Sequence, residues 1–70
     1  MPNKYIVCNL RNILDAGGIS NAELAARSGV TTTTLLSWMK MISYPRLDMA
    51  YRVSEVLGIP VEKIWKTIEY

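Results

Sequence analysis

The chain has no histidine and a single cysteine, Cys8. A catalytic imidazole, a Cys/His nucleophile pair and a tetrahedral zinc site are thereby effectively excluded, because each needs several such side chains together. A lone cysteine has no partner for an internal disulfide, which suits a reducing compartment. No apolar run approaches the roughly 18 residues that cross a bilayer. The first seven residues are too short, and too soon followed by Asn9 and Arg11, to read as a signal peptide. Nothing resembles an acid–base pair or a nucleophile with its base, so an enzyme is not expected. The expectation is a cytoplasmic protein without cofactor, metal, membrane contact or small-molecule substrate.

Half of the 70 residues are hydrophobic, which argues for a folded chain. This length predicts one domain over residues 1–70, with a core so small that stability is marginal. The net charge is only +2, but its distribution is uneven. Up to Arg46 there are five basic residues (Lys4, Arg11, Arg27, Lys40 and Arg46) against Asp15 and Glu23. Beyond it, Arg52, Lys63 and Lys66 face four acidic residues, Asp48, Glu55, Glu62 and Glu69. The first two-thirds therefore suit a polyanion better, although an ordinary solvated surface explains the charge equally well.

Apolar spacing predicts helix almost throughout. Ile6, Leu10, Ile13 and Leu14 recur at helical intervals until Gly17-Gly18 stops them. Ser20-Asn21-Ala22-Glu23 has the pattern of a reciprocal capping box, with Ile19 and Leu24 as its hydrophobic staple. A second helix is expected over residues 21–28, with Gly29 taking a left-handed turn. Val30, Thr31 and Leu35 repeat the staple and cap, so a third helix should cover residues 32–40, with Leu35 and Trp38 facing inward. Tyr44-Pro45 breaks the chain. Leu47, Ala50, Val53 (or Ser54) and Leu57 mark a fourth helix, and Ile59-Pro60 opens a short fifth one anchored by Ile64 and Trp65. No alternating strand stands out, although residues 65–70 could be extended. The expected core comprises Leu10, Ile19, Leu24, Val30, Leu35, Trp38, Leu47, Val53, Leu57 and Ile64.

The third helix opens on four consecutive threonines, Thr31 to Thr34. Each threonine inside a helix costs roughly 0.5–0.7 kcal/mol against alanine, about 2 kcal/mol for the run. Thr31 escapes that cost as an N-cap. The others call for a different explanation.

Two capped helices joined by Ser28-Gly29-Val30 form a helix-turn-helix arrangement, which holds the second helix proud of the domain. Residues 10–65 resemble the Cro/CI-type helix-turn-helix DNA-binding proteins of phages and bacteria. The resemblance rests on Glu23-Leu24-Ala25, Gly29-Val30, the Pro45/Leu47 pair, and Leu57-Gly58-Ile59 followed by Ile64. It implies an all-α, five-helix lambda-repressor-like domain with helices two and three as the helix-turn-helix. It places Thr32, Thr33 and Ser37 against base edges, with Leu36 on the same exposed side. Ser20, Asn21, Lys40, Tyr44 and Arg46 fall where the family meets the DNA backbone. Threonine would bring a hydroxyl and a methyl group on a short stem. With no arginine or glutamine among these base readers, DNA shape is expected to carry part of the discrimination.

The chain departs from the family pattern at several positions. Asn21 stands where glutamine is usual. Leu14 and Met39 occupy positions where an arginine and a glutamate commonly pair, so a hydrophobic contact is expected instead. Met41 replaces a frequent glycine after helix three, and since left-handed backbone is costly for methionine, that helix is expected to run on by a turn. Arg46 replaces a small polar cap. The resemblance implies a cofactor-free repressor that binds operator DNA as a homodimer, with residues 64–70, notably Trp65, Ile68 and Tyr70, as the candidate interface. The alternative is a protein-interaction module, such as an antirepressor or antitoxin-like partner, which would cover the apolar Leu36, Met39, Met41 and Ile42.

Overall fold

The computed structural model describes the backbone of residues 4–69 and the side chains of residues 5–68; Tyr70 lies outside them. The order is β1 (Lys4–Cys8), α1 (Leu10–Gly17), α2 (Asn21–Ser28), α3 (Thr32–Met39), α4 (Leu47–Leu57), α5 (Val61–Ile64) and β2 (Trp65–Glu69). The described residues form five helices, as expected, and α2 has the expected bounds. Among the described residues no helix is long and apolar enough to cross a membrane.

The small sheet is the main addition. β1 and β2 pair antiparallel, from Lys4 opposite Glu69 to Cys8 opposite Trp65. Ile6 therefore belongs to a strand and not to the first helix, and its spacing to Leu10 was a coincidence. Ile6 and Val7 are β-branched and favour extended backbone. What holds them so is a partner some sixty residues away, which no local pattern reveals. Asn9 N–H donates to the Ile64 carbonyl at 2.7 Å, extending the link between the two ends of the helical unit.

The core gathers Leu10 and Leu14 from α1, Leu24 and Ala25 from α2, Leu35 and Trp38 from α3, and Ala50 and Val53 from α4, with Ile64 and Trp65. Leu10, Leu24, Leu35, Val53 and Ile64 are fully buried, each contributing roughly 1.5–3 kcal/mol. Ile19, Val30 and Leu57 pack against this cluster half-buried. Leu14 is buried and Met39 half-buried against the same core, as an apolar replacement for an ion pair requires.

One core assignment and one interface assignment are corrected. Leu47 is 70% exposed. It starts α4, where Ile6, Tyr44, Pro45, Ala50, Val61 and Trp65 leave a groove of about 280 Å³ instead of a packed layer. Trp65, expected as a surplus apolar residue for an interface, is buried. It leaves α5 for β2, and the pleat that pairs it with Cys8 turns it inward.

Candidate nucleic-acid interface

The two helix starts that flank the turn are capped by side chains. Ser20 Oγ accepts from the Glu23 N–H at 3.1 Å. The reciprocal half of the expected box is missing: Glu23 turns along the helix to Arg27 Nη2 at 3.3 Å, an i,i+4 pair in which both side chains are exposed. Ser20 remains on the surface and Asn21 is half-buried at the start of α2.

Between the helices Gly29 has φ +73°, the left-handed conformation that glycine adopts without a Cβ penalty. Its N–H and that of Val30 close the end of α2 on the carbonyls of Ala26 and Ala25. Arg52, on α4, reaches across so that its Nη1 lies 3.5 Å from the Ser28 carbonyl. A cation at a helix C-terminus complements the helix dipole, so Arg52 positions the turn from outside it. Sequence reasoning missed this residue. Its contact spans twenty-four positions, and no local signal announces it.

Thr31 caps α3 and also explains Thr34. Its Oγ1 accepts from the Thr34 N–H at 3.1 Å and donates to Thr34 Oγ1 at 3.0 Å. Two of the four threonines thus form one capping unit. Thr32 and Thr33 are exposed, and Ser37 and Leu36 are half-exposed, while Leu35 and Trp38 carry the buried side of the helix. One turn separates Thr33 from Ser37, so the three residues expected at base edges share the face turned away from the core.

The end of α3 corrects the expectation of a longer helix. It stops at Met39, and Met41 takes φ +59°, the left-handed value usually left to glycine. Ile42 N–H donates to the Ser37 carbonyl at 3.0 Å and Met41 N–H to the Trp38 carbonyl at 3.1 Å. That is the Schellman pattern. The hydrogen bonds and the need to turn toward Pro45 override a conformational cost of about 1–2 kcal/mol. Ile42 is left 75% exposed.

The three residues expected on the DNA backbone beyond α3 have different surroundings. Lys40 is exposed at the helix end. Tyr44 is exposed, and its hydroxyl donates to the Ile6 carbonyl of β1 at 3.4 Å. Arg46 takes the N-cap position of α4 without a side-chain cap bond, and pairs with Asp48 at 3.1 Å. Both members of that pair are well exposed, so it is weak and easily exchanged. The chain thus presents the capped ends of α2 and α3, a hydroxyl-lined outer helix face, and two cations in the segment that follows. Cys8 plays no part in this surface: burial pushes its thiol above the ordinary range.

A family model described as helix-turn-helix matches residues 10–64. The chain belongs to the helix-turn-helix family. The matched span agrees to within one residue with the stretch that carries the Cro/CI-type resemblance, and both β1 and β2 lie outside it. Among solved structures, this helix-turn-helix protein is similar to one from Bacteroides fragilis, described provisionally as DNA-binding. The two share 24% sequence identity with a TM-score of 0.79, over 89% of this chain and 100% of the other. At that identity the likeness speaks for the fold. No curated protein matches.

Proposed function

We propose that the chain is a sequence-specific DNA-binding transcriptional regulator, a repressor of phage or prophage type, that places α3 in the major groove. The observation that carries this reading is the exposed face of α3. Thr32, Thr33 and Ser37 point away from Leu35 and Trp38, on a helix held by a capped, glycine-containing turn. In this reading Thr32, Thr33 and Ser37 meet base edges. Ser20, Asn21, Lys40, Tyr44 and Arg46 meet the DNA backbone.

The surroundings of the backbone set bear on how it would work. Ser20 accepts the cap bond through its oxygen and keeps its O–H to donate to a phosphate. Arg46 exchanges an exposed carboxylate for a phosphate. Tyr44 already donates its one hydroxyl proton to β1, and a phosphate only accepts, so its contact requires release from Ile6.

A single recognition helix reads too few base pairs to select a site in a genome, so the protein is proposed to bind as a homodimer on a two-fold operator. Within residues 64–70, Trp65 is buried in its own core, and among the described side chains Ile68 is the exposed apolar one. A second reading, a protein-interaction module, draws on the exposed Ile42 and on the groove beside Leu47.

A salt titration on random duplex DNA separates the two. A DNA binder loses affinity linearly in log–log salt. Changing Lys40 or Arg46 to alanine should reduce that slope by about one. Absence of binding even at low salt would favour the interaction module.

A further inference from the structure

The outer face of α3 has an unusual chemistry for reading bases. Thr32, Thr33, Leu36 and Ser37 line it, without a charged or amide side chain. A hydroxyl both donates and accepts, so on its own it discriminates weakly between base pairs. Leu36 has no hydrogen bond to offer at all. It is half-buried, yet it does not join the residues packed on the core, whereas Met39 on the same helix does. It lies one turn from both Thr32 and Thr33. Among the described residues, the hydroxyls of Thr32 and Thr33 have no partner, while those of Thr31 and Thr34 are bonded to each other. This face thus carries the Leu36 side chain and the threonine methyl groups beside hydroxyls that are free to bond.

In the major groove, the apolar feature that distinguishes one base pair from another is the C5-methyl group of thymine. Resting on the DNA-binding reading, we propose that Leu36 is a specificity-determining residue that recognises a thymine C5-methyl group, with the Thr33 methyl recognising a second one. Methyl contact supplies the discrimination that the hydroxyls lack. It also gives a leucine on the outer face of α3 a function that neither the core nor a hydrogen bond provides.

The test uses a duplex enriched by this protein from a random-sequence pool, with each thymine replaced singly by deoxyuridine. That change deletes the methyl group and leaves the hydrogen-bonding pattern intact. Binding should weaken by about three- to fivefold at one or more positions in each half-site, the worth of one buried methyl group. In Leu36→Ala, the thymine and deoxyuridine duplexes should bind equally at one of those positions. Thr33→Ser, which keeps the hydroxyl and loses the methyl, should do the same at another. Insensitivity at every thymine in the unaltered protein overturns the proposal without any variant. Full sensitivity retained in Leu36→Ala, or lost only in Thr33→Ser, overturns the role of Leu36. A pool that enriches no sequence overturns the DNA-binding reading itself, which distinguishes the two failures.

Discussion

Trp38 and Trp65 meet edge to face, with ring centroids 6.1 Å apart and planes at 75°. The first belongs to α3 and the second to β2, so the helix proposed to enter DNA rests on the strand that joins the two ends of the fold. Such aromatic pairs contribute roughly 0.5–1.5 kcal/mol beyond the area they bury.

Trp65→Ala should therefore cost about 3–5 kcal/mol, the usual range for truncating a buried tryptophan. That is comparable to the whole stability of a domain this small. Urea denaturation should show a strongly lowered midpoint or a chain already unfolded. A midpoint unchanged from the parent would mean that β2 does not hold Trp65 in the core.

Met41→Gly should stabilise the protein by about 1 kcal/mol, because glycine takes the left-handed backbone without the Cβ clash that methionine bears. Met41→Ala keeps the Cβ and should bring no such gain. Thermal melts of the two variants side by side provide the check. Equal behaviour would argue against a left-handed residue 41.

Ser28→Ala probes a different cost. Ser28 is fully buried in α2, and its hydroxyl has no hydrogen-bond partner among the described residues. Removing a buried, unsatisfied hydroxyl should be neutral or stabilising by up to about 1 kcal/mol. A loss above that size in chemical denaturation would reveal a partner such as a bound water.

Thr31→Ala and Thr33→Ala should separate capping from reading. The first removes the oxygen that serves Thr34, and should lower stability by about 1 kcal/mol without any DNA present. The second should leave stability nearly unchanged and cost roughly 1–2 kcal/mol on a preferred operator, with much less on random DNA. Melting curves and competition binding together resolve the two. Equal loss on all sequences from Thr33→Ala would mean that this face does not read bases.

Local grammar made much of this protein legible before its fold. The cap at Ser20, the glycine at the turn, the cap at Thr31 and the staples around them depend on residues within four or five positions of one another. Those short-range terms determine where α2 and α3 begin and how the turn between them closes. The outer face of α3 follows from helical spacing once Leu35 and Trp38 are known to face inward. Tertiary structure decided the rest. Ile6 became a strand residue because it found its pairing partner at the other end of the chain, and the same pairing turned the extended stretch expected from Trp65 onward into β2. Leu47 stayed exposed because its neighbours leave a groove, and Arg52 reached the turn from another helix. Met41 shows the same priority most directly. Its own backbone preference opposes the left-handed turn, but the hydrogen bonds to Ser37 and Trp38 close only if the chain takes it.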